Sequence, residues 1–230
     1  FVFFAIYSIV ALILIKTLIF KKPSKKPPKE NISVWQRYKA VLATRPAMRF
    51  MLTGTFAFSV MLLFITHASF IYQNHFGVTP TVFSLLFSAN VVLMLIFNLA
   101  NRRLLDHFTS EQILRWFVLL QGIGILLLLL FTLINTDLTL FVMAMVLTVG
   151  SMGAVFPNVQ ACYMEFFSKN GGTAAALLGA TQFSIAGIIA TLSTLLPENL
   201  ISIILSQAVC SLICIALIWS GKKSQLNANH

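Results

Sequence analysis

Eight side chains able to exchange hydrogen bonds or protons stand inside long apolar runs of this sequence: His67, Asn90, Asn98, Gln121, Asn158, Gln160, Gln182 and Gln207. Imidazole changes charge within the physiological pH range, so His67 can take a proton or contact a bound molecule. The other reading of His67 is a neutral histidine bonded to a neighbouring helix. Asn90 and Asn98 are eight residues apart, with Asn101 beyond, which puts them on one helix face. Such a stripe either lines a cavity or bonds helices together. Pro157 has no N–H, so a carbonyl one turn earlier, near Gly153 and Ala154, is left free to bond a neighbouring helix, water or a ligand. Asn158 stands beside it. Gln182 follows Gly179 by three residues, where close packing is expected to turn its amide inward. The six acidic residues, Glu30, Asp106, Glu111, Asp137, Glu165 and Glu198, all fall in connections or at the ends of runs, so no carboxylate is placed mid-run for proton work. Cys162, Cys210 and Cys214 read as small buried hydrophobes without metal or disulfide spacing. No nucleotide-binding loop, Ser-His-Asp arrangement or metal cluster is visible, so no cofactor is expected and the chain does not read as an enzyme.

The elements that must position these groups are apolar helices. The chain is 58% hydrophobic and 10% charged, with mean hydropathy +0.90. A soluble domain is nearer a quarter charged, so this composition indicates a polytopic all-α membrane protein. Seven runs reach the roughly 20 residues that cross a hydrocarbon core: 1–20, 50–72, 82–100, 113–134, 138–161, 173–196 and 200–220. The fifth run is expected to end at its Pro157-Asn158 step, and the sixth to open on Gly171, Gly172 and Thr173. Leu126–Leu130 is an unbroken leucine run suited to a lipid-facing helix.

Residues 21–47 form the long hydrophilic segment. Its first part, KKPSKKPPKE, reads as an extended linker. In its second part Trp35, Tyr38 and Leu42 recur at helical spacing among Arg37, Lys39 and Arg45, which predicts a short amphipathic helix on the membrane surface, capped by Asn31 or Ser33 and ended by Pro46. The net charge of +10 then fits orientation in a bilayer better than nucleic-acid binding. All 16 Lys and Arg fall in or beside one set of alternate segments, ten of them between Lys16 and Arg49. The connections NHFGVTP, NTD and PEN have none. The positive-inside rule therefore places the linker and the tail 221–230 in the cytoplasm. The chain opens inside an apolar run and not on Met, and is read as a fragment of a longer protein. The expected organisation is a last helix of a missing N-terminal half (1–20), a basic linker (21–47), a six-helix bundle (48–220) and a tail (221–230).

Two stretches carry a family resemblance. PNVQA followed by GGTAAALLGATQF resembles the tenth and eleventh helices of the Bcr/CflA-type drug-resistance transporters, proton-coupled multidrug antiporters of the major facilitator superfamily. The family pattern falls on Pro157, Asn158, Gly172, Thr173, Ala174, Ala176, Leu177, Leu178, Gly179, Gln182 and Phe183. ASFIYQNHFGVTPTVFSLLFSAN is similar to the same family at Ala68, Ser69, Tyr72, Gln73, Gly77, Thr79, Pro80 and Phe83–Phe87. Phe70 and Ile71 stand where the family has Pro-Phe, which removes the family's reason for a kink there. NRRLLDHF resembles the short basic loop motif of major facilitators, although Thr109 replaces the usual glycine.

The resemblance implies the six-helix C-terminal half of a major facilitator fold, plus the end of the preceding helix. It implies a multi-pass protein of the bacterial inner membrane that exports small amphipathic drug-like compounds in exchange for protons. Its partners would be the substrate, protons, membrane lipid and the missing N-terminal half, with no nucleic acid. The missing half would hold the coupling carboxylate. His67, Asn90, Asn158, Gln182 and Phe64 are the expected substrate contacts, with Phe97 and Met94 offering adaptable apolar surface. Arg103, Asp106, Pro157, Gly172 and Gly179 are the expected gating residues. Gln121 and Gln207 fall on helices the resemblance places at the outside, so they are read as packing contacts. Two alternatives stand beside this reading: a major facilitator for a nutrient or metabolite, and a non-transporting scaffold whose partner binds the basic linker.

Overall fold

The computed structural model describes residues 2–18, 33–168 and 170–220. The first part of the linker, Lys169 and the tail lie outside the described residues. Among those described, α1 (Val2–Leu18) forms one unit by itself. The other unit holds α2 (Val34–Ala43) and a bundle of six membrane spans. These spans are α3 (Arg45–Ser69) continued by a π-helical segment (Phe70–His75), α4 (Pro80–Leu104), α5 (Ser110–Leu133), α6 (Leu138–Gly150) followed by α7 (Met152–Met164), α8 (Gly171–Ser193) and α9 (Leu200–Trp219).

Local chemistry sets the span ends. Thr79 caps α4 by accepting from Val82 N–H, with Pro80 in the first turn. Thr109 and Gln112 exchange backbone and side-chain bonds in a capping box on α5. Asn199 Oδ1 accepts from Ser202 N–H at 2.8 Å to start α9. Gly77, with φ +66°, turns the chain after the π-helical segment.

Helix α3 is the centre of the bundle, packing against α7, α8 and α9, while α5 packs on α6, α7 and α9. Two buried glutamines fasten the outer helices to it. Gln121 of α5 donates to Ala57 O at 3.4 Å, and Gln207 of α9 donates to Val60 O at 3.1 Å. Both therefore act as packing contacts. Cys214 adds a bond from Sγ to Thr53 O at 3.3 Å. On α3 itself the Thr55 and Ser59 hydroxyls bond back to carbonyls one turn earlier. Helix α4 packs on α6 and α7 through backbone contact, because a Cβ at Gly153 would collide with the Met94 carbonyl group. At the basic end Glu111 accepts from Arg115 at 2.8 Å and from Arg49 at 3.2 Å. Arg115 also lies over the Trp219 ring, 5.9 Å from its centroid.

Four sequence expectations are corrected. Pro46 does not end the amphipathic helix: α2 ends at Ala43, and Pro46 occupies the first turn of α3, where a missing N–H costs nothing. The stripe of α2 is also rotated, with Val41 buried and Tyr38 half-buried while Trp35 and Leu42 are exposed. The fifth run does not end at Pro157-Asn158. It is interrupted earlier, at Ser151, and continues through the proline to Met164, because the freed carbonyl finds a donor on α4. Finally, the leucine run is not wholly lipid-facing: Leu126 and Leu130 are exposed, but Leu128 is fully buried beside Phe141 and Met145.

The missing Pro-Phe at Phe70 and Ile71 does not leave a straight α-helix either. The chain widens into π geometry over Phe70–His75, with Phe76 N–H bonding Ile71 O at 3.2 Å.

Candidate functional site

The expected contact residues are arranged in two tiers along α3. The tier nearer the basic end is built on Gly54. A Cβ there would meet both Val159 and the Gln182 amide, so α3, α7 and α8 touch at this point and Gln182 lies buried against the α3 backbone. Asn158, beside Val159, is 1% exposed. Its amide donates to Asn101 Oδ1 at 2.6 Å and to Ala154 O at 2.7 Å, joining α7 to α4. One turn back, Gly153 O, the carbonyl that Pro157 leaves without an intrahelical donor, accepts from Asn98 Nδ2 at 3.1 Å. The α4 stripe thus bonds helices together at Asn98 and Asn101. Above Gly54, Phe58 meets Phe156 and Phe183 edge-on, with centroids 5.5 and 5.1 Å away. Phe183 is 68% exposed, a large ring among Gly179, Ala180, Ser184 and Gly187, with Ile188 and Leu192 exposed further along the helix.

The second tier lies toward the end without Lys or Arg. His67 Nε2 and Ser193 Oγ are 2.9 Å apart, linking α3 to the far end of α8, while the Ser193 hydroxyl donates to Ala190 O. Phe64 is buried, stacked on Phe87 at 5.8 Å and edge-on to Tyr72 at 6.1 Å. Asn90 donates to the Leu86 and Phe87 carbonyls of its own helix. Its side chain faces the buried Tyr72 hydroxyl, and the two polar groups are each other's neighbours across the α4 contact.

The tiers do not converge. Gln182 and Ser193 are eleven residues apart on α8, as are Asn90 and Asn101 on α4, which is about 16 Å of helix. His67, Phe64 and Asn90 therefore share one depth and Asn158 and Gln182 another, but His67 turns to α8 and Asn158 to α4, away from the others at its level.

The gating set is dispersed. Asp106 N–H bonds Arg103 O at 3.3 Å, and both side chains are exposed. Among the described residues the ion pairs are instead those of Glu111 with Arg49 and Arg115. Pro157 is half-buried in α7. A Cβ at Gly172 or Gly179 would meet nothing within 4 Å. The glycines that seat helices closely are Gly54, Gly122, Gly124, Gly150 and Gly153. Sequence reasoning missed Ser193, Asn101 as the partner of Asn158, Tyr72, and the Phe58–Phe156–Phe183 group. The signal for Phe183 was present, since one large ring follows Gln182 in a helix of glycines and alanines.

The spans are unequally covered. Helices α4 and α8 flank α3 and α7, and each leaves most of its surface uncovered. The open side of α8 carries Gly172, Ala176, Ala180, Phe183, Ser184 and Ile188.

Comparison with known proteins places this architecture. The family model described as Major Facilitator Superfamily matches residues 1–191. The chain is 24% identical over 195 residues to a protein of Haemophilus influenzae named bicyclomycin resistance protein homolog, covering 82% of this chain and 49% of that protein. It is 27% identical over 189 residues to the uncharacterized MFS-type transporter YdgK of Bacillus subtilis, covering 82% and 46%. The chain therefore spans about half the length of the curated relatives it matches. With six membrane spans and a family match over most of its length, the chain belongs to the Major Facilitator Superfamily.

Proposed function

We propose that this chain is the C-terminal half of a proton-coupled multidrug antiporter of the Bcr/CflA type, exporting small amphipathic compounds across the bacterial inner membrane by alternating access. The observation that carries the reading is the uncovered face of α8, where small residues surround Phe183 beside the buried Gln182 amide. A lipid-facing helix has no need of that composition; a helix that another bundle slides against does. The name of the Haemophilus influenzae relative and the motifs around Pro157 and Gly172 add support for drug export in particular. In this reading the N-terminal half supplies the coupling carboxylate. Gln182 and Phe183 offer one polar and one aromatic contact to the substrate, and the His67–Ser193 pair is a candidate proton-accepting group in this half.

The test is a resistance profile of the complete transporter across several unrelated drugs, with membrane-inserted protein quantified. Gln182→Ala and Phe183→Ala are expected to lower resistance about fivefold for some compounds and leave others unchanged, since each contact is worth roughly 1 kcal/mol. Uniform loss in proportion to lost protein would make both residues packing groups and remove the basis of the assignment.

Orientation is part of the proposal. In a cysteine-free background, single cysteines at Asp137 and Glu198 are expected to react from the periplasm with an impermeant maleimide, and one at Asp106 only after the membrane is opened. All three positions are exposed, whereas Gly77 is unsuitable because its φ of +66° disfavours a side chain. Labelling of Asp106→Cys from outside would invert the topology.

A further inference from the structure

The end of the bundle without Lys or Arg holds a cavity of about 280 Å³ that none of the residues discussed above as substrate contacts lines. That volume is near the lower bound of small-molecule sites, about 300 Å³. Its walls come from the π-helical segment, the α5–α6 turn, the start of α6 and the α8–α9 connection. The wide π turn and the reversal at Gly77 set Phe76 against Phe141, with ring centroids 5.0 Å apart. Asn135, in left-handed conformation at φ 49°, closes the α5–α6 turn on the other side. Phe70 and Phe131 complete an aromatic lining. The polar part of the lining is His75, Thr132, Asn135, Thr136, Glu198 and Asn199, with Glu198 its one carboxylate. Glu198 brings a carboxylate with no ion-pair partner among the described residues, and Thr136 brings a buried hydroxyl without a hydrogen-bond partner. His75 is the other titratable group on the lining.

We propose that this cavity binds an organic ammonium ion, held by the Glu198 carboxylate and the faces of the surrounding phenylalanines. Aromatic rings attract a diffuse positive charge that carries its own methyl groups, which is how quaternary ammonium ions are recognised. A hard divalent cation is a poor fit, since it needs several anionic oxygens and the lining offers one carboxylate, while Asn199 Oδ1 already accepts from Ser202 N–H. An anion is disfavoured as well: the three connections at this end contain Asp137 and Glu198 and no Lys or Arg. Their field concentrates cations at the mouth of the cavity. The ammonium group can belong to a soluble molecule or to the headgroup of a phosphatidylethanolamine lipid. Binding here does not require that the protein export drugs.

The test is direct binding of choline to the purified full-length protein in phosphatidylglycerol nanodiscs, followed by calorimetry. The uncharged isostere 3,3-dimethylbutan-1-ol has the same shape without the charge, and is expected to bind at least tenfold more weakly. Glu198→Gln keeps the cavity's shape and is expected to weaken choline about fivefold, the value of one partly solvated charge contact. Phe76→Leu is expected to weaken it by a similar factor through the lost ring. Asp137→Asn, which does not line the cavity, leaves affinity within twofold. Repeating the titration in phosphatidylethanolamine nanodiscs identifies the source: suppressed binding assigns the site to the lipid headgroup, and unchanged binding to a soluble cation. Equal affinity for choline and its isostere, or choline binding that survives both Glu198→Gln and Phe76→Leu, would overturn the proposal.

Discussion

Gly153→Val is expected to leave almost no folded protein in the membrane, while Gly179→Val is expected to leave a normal amount. Both glycines are on helices lined with small residues, and sequence alone treats them alike. The difference lies in what their missing side chains face. At Gly153 a Cβ would strike the Met94 carbonyl group, backbone that has no rotamer to move to. Relief requires α4 and α7 to separate, which breaks the bond from Asn98 to Gly153 O and the Asn101–Asn158 pair. The combined cost is roughly 3 kcal/mol or more, comparable to a large share of a bundle's stability. At Gly179 nothing lies within 4 Å. If that face meets the other half, Gly179→Val spares insertion and folding but blocks close approach, and efflux should fall at least tenfold. The measurements are the monodisperse peak on fluorescence-detected gel filtration and drug resistance normalised to it. A full-height peak for Gly153→Val would refute the backbone contact, and full efflux for Gly179→Val would remove α8 from the moving interface.

Expressed alone, this chain is expected to leave drug accumulation in cells unchanged, and co-expression with the N-terminal half should restore efflux. The reason is coverage and charge. Helices α4 and α8 leave their outward surfaces without a partner, so a compound held against Phe183 has protein on one side only. No carboxylate stands mid-span to couple proton entry to its release. Accumulation of a fluorescent drug in cells lacking other exporters measures this directly. Proton-dependent efflux by the single chain would defeat the two-half reading, whereas silence of the two halves expressed together would point to a different substrate class.

What could be read beforehand followed from rules that act over one or two turns. The span positions came from apolar length. The freed carbonyl at Gly153 came from the covalent structure of Pro157, and the asparagine that accepts the task was visible as a stripe on α4. The helix after Ser33 came from the spacing of Trp35, Tyr38 and Leu42. What could not be read was the vertical registration of one helix against another. His67 finds Ser193, which is 126 residues away and unremarkable in its own segment. Leu128 is buried while Leu126 and Leu130 are exposed because of which side α5 offers to α6, and a homopolymeric stretch carries no sign of that. The division of the polar residues into two depths has the same origin: each lies on the expected element, and the offsets between elements separate them.

The central position of α3 has a consequence for how the protein is made. It is the first span of its bundle to leave the ribosome, and its partners follow much later: 64 residues separate Gln121 from Ala57, 147 separate Gln207 from Val60, and 161 separate Cys214 from Thr53. At translation rates of about 5–20 residues per second, α3 waits on the order of 10 s in lipid before α9 arrives. It can do so because its Thr55 and Ser59 hydroxyls are already bonded within the helix, and the carbonyls that later receive Gln121 and Gln207 already have their intrahelical donors. The glutamines, whose amides have no such shelter, belong to α5 and α9 and reach the bilayer when their acceptors are in place. Biogenesis order and hydrogen-bond polarity are matched: the acceptor helix is inserted first and the donors come to it.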